Sequence, residues 1–331
     1  LILFPLIGAI GFALIIFSAS IVFASTNIRE FVRASGPFVN LMIPGLNPYV
    51  PVMYGWIALI VAMVVHEGAH GVLARFFNLR VKSSGLIFFL ILPIGAFVDI
   101  DEEEIKKTPA KNSGRVMAAG PMSNFAVALA SLACLLLIVG SMAPATSGIG
   151  VIGVYKDSPA YNVGLTPGDA VLAINEIKVR SSGDVRNILS NFKPGDSVSF
   201  TVLHKNREVE RSLVLAASDN TSVPIMGFEG IDQEAVSAVL EDYRTIRLSS
   251  PLIYLFLPTF TMAQWRVPNS DMMRQFYTSP LGDFTYDAAN IFFWLWFVNF
   301  NLAVFNALPL YPLDGGQALR AALQSYGSSK G

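Results

Sequence analysis

Residues 61–77 read VAMVVHEGAHGVLARFF, with two histidines and a glutamate inside an otherwise apolar run. His66 and His70 are spaced i, i+4, so on a helix both imidazoles stand on one face, one turn apart. Glu67 lies one step round from the first. H-E-x-x-H on a helix is the arrangement in which two imidazoles hold zinc and the glutamate acts as a base toward water. A structural pair of histidines is the plainer alternative. Location weighs against it, because an ionisable group at the centre of a membrane span costs on the order of 3 kcal/mol. Three such groups within five residues need compensation, and a metal ion supplies it.

A catalytic zinc usually takes three protein ligands. The stretch HEGAHGVLARF lacks the third histidine of the longer H-E-x-x-H-x-x-G-x-x-H pattern. The one remaining histidine, His204, sits in the turn LHKNRE, where a solvated imidazole is expected. The third ligand is therefore expected to be a carboxylate. Glu102, Glu103 and Glu104 form one candidate set, within a charged run DIDEEEIKK that otherwise reads as a solvated face. Asp314 is the stronger candidate, in FNLAVFNALPLYPLDGGQALRAAL. Pro309, Pro312, Gly315 and Gly316 break the helix around it, so one carboxylate can turn inward from a membrane segment.

The elements that must position these groups are mostly membrane helices. The 331 residues are 53% hydrophobic and 14% charged, with a mean hydropathy of +0.52. Soluble domains carry about 25% charged residues. A net charge of −1 gives no basic surface for nucleic acid. The lone cysteine, Cys134, lies in an apolar run and has no partner for an internal disulfide. Four stretches have the roughly 20 apolar residues that a span needs: about 1–24, 51–77, 115–143 and 287–310. The first begins LILFPLIGAI, without Met and without a basic region before it. It reads as the remainder of a membrane helix in a fragment or processed chain. A fifth stretch, 249–263, is short, carries two prolines, and is expected to be re-entrant or interfacial.

Between the second and third spans, GLIFFLILPIGAFV is too short to cross and rich in strand formers. A hairpin at the membrane edge is expected there, packed on protein or paired with an incoming strand. Arg75, Arg80, Lys82, Lys106, Lys107, Lys111 and Arg115 flank it, which places this loop on the cytoplasmic side. Residues 148–217 change character to short alternating strands, such as SVSFTVLH and EVERSLVL, separated by PGD and HKNRE turns. DVRNILSNF has the spacing of a short helix. The expected division is a membrane domain 1–147, a soluble α+β insert 148–217, a linker 218–286 and a C-terminal membrane segment 287–331.

The order SPA, GL, PGD, IN and a second PGD in the insert resembles a permuted PDZ domain, which implies a peptide terminus as ligand, cradled near Gly148–Val154. A spacer without a ligand is the alternative. HEGAH at 66–70 together with NALPLYPLDG at 306–315 resembles the site-2 protease family of intramembrane zinc metalloproteases, GPMSN at 120–124 resembles a further family motif, and GAFVD at 95–99 is similar to the branch containing the animal enzyme and archaeal relatives. The resemblance implies a multi-pass α-helical membrane protein with a membrane-edge β-hairpin and an inserted PDZ-like domain. It also implies one zinc per chain on His66, His70 and Asp314, Glu67 as general base, and transmembrane proteins as substrates. Asn306 is a candidate for substrate or oxyanion binding, with a helix–helix hydrogen bond as the alternative. Asn124 is a candidate for holding substrate or hairpin, or for pinning two helices. Gly68 and Ala69 depart from the bulkier residues expected inside the first motif. A prokaryotic plasma membrane is the implied location, with the insert outside the cytoplasm. The competing functions are a zinc transporter, which should show repeated halves that this chain lacks, and an inert scaffold, which would not need the intact motif.

Overall fold

The computed structural model describes residues 3–26, 29, 30, 33, 43–45, 47, 50–90, 92–145, 148–205, 207–218, 223–245 and 274–328. The expected re-entrant stretch 249–263 lies outside the described residues. In chain order, the principal elements are α1 (Leu3–Ala24), α2 (Val52–Phe76), β1 (Val81–Phe89), β2 (Leu92–Ile100), α3 (Glu102–Lys107), α4 (Ala110–Ser141), β3 (Ile149–Val154), β4 (Ala170–Ile174), β5 (Ile177–Lys178), α5 (Ser182–Leu189), β6 (Ser197–His204), β7 (Arg207–Val214), β8 (Phe228–Ile231), α6 (Gln233–Thr245), α7 (Phe284–Asn306) and α8 (Asp314–Ser328). They form two compact units, residues 1–135 with 291–331, and residues 136–290.

Helices α2, α4 and α7 are long and apolar enough to cross a membrane, and α1 is a further apolar helix of 22 residues. Their large side chains, among them Ile10, Phe12, Ile57, Val64, Val72 and Leu137, stay exposed, as lipid-facing residues do. The packed face of α2 is built from small residues instead, whereas α7 buries Phe293, Trp294, Trp296 and Phe297. On α2 the buried stripe is Gly55, Ala58, Ala62, His66, His70 and Ala74. Nearly every step is one helical turn, so the two histidines occupy positions that are otherwise alanine or glycine. Helices α1, α4 and α7 share a core of Phe4, Ile7, Ala118, Val304 and Ala307. A methyl group on Gly8 would run into the Ala307 carbonyl, so α1 can approach α7 only as glycine.

Strands β1 and β2 form the expected antiparallel hairpin, from Val81↔Ile100 to Phe89↔Leu92. Pro93 does not end β2, because the register shifts at Ile87/Phe88, and proline is accepted at such an irregularity. Leu86, Ile87, Phe88 and Leu90 are exposed towards the tip.

The second unit carries an antiparallel sheet in the order β7-β6-β4-β3-β8, with β5 on β4. Its core includes Ile149, Val171, Ile188, Phe200, Val202, Leu213 and Met226. Helix α5 starts in a capping box, in which Ser181 Oγ accepts the Asp184 N–H and Asp184 accepts the Ser181 N–H. The Arg180 N–H on the same carboxylate leads a set of hydrogen bonds that hold the Asp184 carboxyl below its ordinary range. Strand β8 comes from the stretch assigned to a linker on sequence. It pairs with β3 at Gly150↔Ile231 and Val154↔Phe228, so this sheet extends past residue 217. His204 also differs from expectation. Its Nδ1 lies 2.7 Å from Oδ1 of the buried Asp169, so the turn is pinned rather than loosely solvated.

Candidate metal centre

The helix break after α7 returns Asp314 to the buried stripe of α2. Asp314 Oδ2 stands 3.1 Å from His66 Nε2 and 3.3 Å from His70 Nε2. One ligand atom from each residue falls within 4.8 Å of the other two. Both histidines are 7% exposed, which excludes bulk water as their partner. Ligands about 2.0–2.1 Å from a tetrahedral zinc stand about 3.3 Å from one another, which the two nitrogen–oxygen separations match.

Hydrogen bonding on the far side of each ring decides what faces this point. His70 Nδ1 is 2.7 Å from the Val116 carbonyl. A carbonyl only accepts, so Nδ1 carries a proton, and in the neutral form of the ring the Nε2 lone pair is the one that faces Asp314. His66 Nδ1 is 3.3 Å from the Asn124 side-chain amide. With Nδ2 on that side, the buried Asn124 Oδ1 has no hydrogen-bond partner. As placed, Nδ2 is the atom that meets His66 Nδ1; with the amide turned by 180°, Oδ1 would accept a His66 N–H there instead. With both rings neutral and protonated at Nδ1, His66 Nε2, His70 Nε2 and Asp314 Oδ2 converge as three acceptors, an arrangement that a cation satisfies. The residues fit a zinc ion.

Gly120 completes the cradle. A methyl on its Cα would meet the Nε2 atoms of both His70 and His66. Ser123, in the same GPMSN stretch, donates to the Gly120 carbonyl at 2.7 Å and reaches the Val65 carbonyl at 3.2 Å, tying α4 to α2 beside His66. Sequence reasoning singled out GPMSN but gave neither Gly120 nor Val116 a role. Neither could be read from the chain, because one acts by lacking a side chain and the other through its backbone.

Glu67, half-buried beside the ligand set, accepts the Val98 N–H of β2 at 3.0 Å. The other expected residues fall elsewhere. Asn306 Nδ2 donates to the Leu302 carbonyl one turn back on its own helix. Glu102 and Glu103 are exposed and face Lys106, while Glu104 accepts the Arg80 N–H. That leaves Asp314 as the carboxylate beside the imidazoles among the described residues.

The second unit holds a groove between α5 and β8, lined by Val185, Arg186, Leu189, Met226 and Phe228 among others. The cradle placed at Gly148–Val154 on sequence is corrected here. Ile149–Val154 form strand β3, paired with β4 at Ile149 and Gly150 and with β8 from Gly150 to Val154. The loop at the groove is Pro224–Phe228, with Gly227 at φ 92°.

Peptidase family M50 matches residues 54–330 of the chain. A Methanocaldococcus jannaschii protein, "Uncharacterized protein MJ0971", is 28% identical over 81% of this chain and 56% of its own length, so the chain spans little more than half of that relative. The Nostoc protein named "Putative zinc metalloprotease all3971" is 25% identical over 78% of this chain and 82% of its own. The Clostridium perfringens protein "Putative zinc metalloprotease CPE1693" is 24% identical over 82% and 88%. The insert is similar to the PDZ domain of an SdrC-like protein from Listeria monocytogenes, at 27% identity over 26% of this chain and 90% of that one, with a TM-score of 0.25. With a match running from the start of the HEGAH helix to the last residues of the chain, the protein belongs to peptidase family M50, the site-2 protease family.

Proposed function

We propose that the protein is an intramembrane zinc metalloprotease that hydrolyses peptide bonds within or near transmembrane segments. The observation that carries this reading is the convergence of His66, His70 and Asp314 on the buried face of an apolar helix, with Glu67 adjacent. His66, His70 and Asp314 would hold one zinc per chain. When bound, zinc polarises the scissile carbonyl and makes water acidic enough to supply hydroxide near neutral pH.

The remaining work falls to the chain. Glu67 takes a proton from the attacking water and returns it to the departing amine. The Val116 carbonyl holds a proton on His70 Nδ1, and Asn124 with its amide oxygen turned to His66 would do the same there, so that both rings present Nε2. Small residues on α2 and α4 bring the backbones close and keep bulk water out. A substrate helix must unwind before its amides can be attacked, and its freed backbone groups need partners in lipid. The outer edge of β2, which lies against α2, offers them by strand addition. The basic flanks of this hairpin favour a cytoplasmic site, with the insert on the opposite side of a prokaryotic plasma membrane. There the groove between α5 and β8 offers a strand edge that is unpaired among the described residues to an extended peptide or chain terminus.

The direct test uses the purified protein in detergent with a single-span membrane reporter. One zinc per chain is expected, and chelation should remove metal and cleavage together, with both restored by added zinc. Full cleavage by the metal-free protein would overturn the reading. Asn124→Ala should leave the fold intact and weaken zinc by about 10- to 100-fold, the range for losing a partner that orients a ligand. Competition against a chelator of known affinity measures it, and unchanged affinity would assign Asn124 to helix packing alone.

A further inference from the structure

Strand β2 meets the motif face of α2 through two contacts. The Val98 N–H donates to Glu67 Oε2 at 3.0 Å. One turn along, Gly71 lies under the Val98 side chain, where a methyl on Gly71 would stand 3.3 and 3.7 Å from the two γ carbons. Hydrogen-bonding direction alternates along an antiparallel strand, so an N–H that reaches α2 leaves the hairpin through its free edge. An added strand needs about 4.8 Å beside its neighbour. With the Val98 side chain resting on the Gly71 backbone, β2 and α2 leave no such gap. Strand pairing at this edge therefore requires β2 to lift from the helix.

The geometry points to a latch in which Glu67 caps the free edge of β2 until an extended substrate segment takes over the Val98 N–H. Opening and pairing then release Glu67 in the same event. A substrate carbonyl replaces the carboxylate as acceptor, so the Val98 donor never goes unpartnered in the apolar surroundings. A carboxylate oxygen already engaged with a donor is a poorer acceptor for a proton from water. Peptides too short to pair with β2 accordingly meet a carboxylate whose Oε2 is still held by Val98, and long extended segments release it. This inference rests on the reading of Glu67 as the base and of β2 as the pairing edge.

The test compares two substrates carrying the same scissile sequence, a full transmembrane reporter and a short unstructured peptide, with the zinc-loaded full chain in detergent. Val98→Pro removes the donor, and the fold should tolerate it because this N–H is directed at Glu67 rather than at β1. It should raise short-peptide cleavage by about 3- to 10-fold, the equivalent of one hydrogen bond, and lower reporter cleavage by a similar factor. Gly71→Val keeps the N–H but pushes β2 away, and should raise short-peptide cleavage by the same route. It carries the test alone if Val98→Pro does not fold. Loss of cleavage of both substrates in these variants at unchanged zinc content would mean that the contact only positions Glu67, and would overturn the latch. No change in either substrate would overturn it too. Glu67→Gln separates the two readings. Cleavage by that variant sinks the base assignment, whereas an inactive Glu67→Gln beside a Val98→Pro that loses cleavage of both substrates sinks only the latch.

Discussion

Glu67→Gln protein is expected to keep its zinc and its fold while losing reporter cleavage by roughly 10²- to 10⁴-fold, the span ascribed to general acid–base catalysis. Glutamine is nearly isosteric, and its amide oxygen can still accept the Val98 N–H, so the hairpin should remain docked on α2. The metal site should not notice the change, since its atoms come from His66, His70 and Asp314. What disappears is the capacity to take a proton from water and hand it to the leaving amine. Asp314→Asn should behave differently, losing zinc and cleavage together. Measuring metal content and reporter cleavage on the same preparations separates the two kinds of failure. Full cleavage by Glu67→Gln, beside a chelated control that is inactive, would remove Glu67 from the chemistry.

The parts of this site that were legible in the sequence are those written in local spacing. Two histidines four residues apart within an apolar run define one helix face whatever the tertiary structure, and α2 presents both on its buried stripe. Asp314 was readable because proline and glycine break the apolar pattern around it, which marks a polar group turned inward. The hairpin followed from a run too short to span and rich in strand formers. What stayed hidden depends on contacts between distant segments. Asn124 was open between holding substrate and pinning helices, and its approach to His66 across 58 residues has no local signature. Strand β8 is four residues long with a glycine inside, too brief for alternation to show, and its partner β3 lies some 77 residues earlier. The groove loop was misplaced for the same reason, since which segment borders a groove depends on sheet order rather than on sequence order.

Gly120 is the position where stability and function should separate most cleanly. In the middle of a helix, glycine to alanine normally favours the helical state by about 1 kcal/mol. At Gly120 the added methyl would stand 2.7 Å from His66 Nε2 and closer still to His70 Nε2, inside the space where the lone pairs converge. Gly120→Ala should therefore weaken zinc binding by more than about 100-fold, beyond the effect of losing an orienting partner, and abolish cleavage. Its helix content should be retained, and its thermal stability, compared with metal-free wild type, should change little as helix propensity and crowding oppose each other. Gly68 supplies the internal comparison. It lies within the motif itself, yet a methyl there meets nothing within 4 Å. Gly68→Ala should keep zinc and activity and gain a few tenths to about 1 kcal/mol of helix stability. Zinc stoichiometry measured side by side decides the matter. If Gly120→Ala binds zinc as tightly as Gly68→Ala, the metal does not sit between the two imidazoles and the Asp314 carboxylate, and the geometric argument for the site fails at its centre.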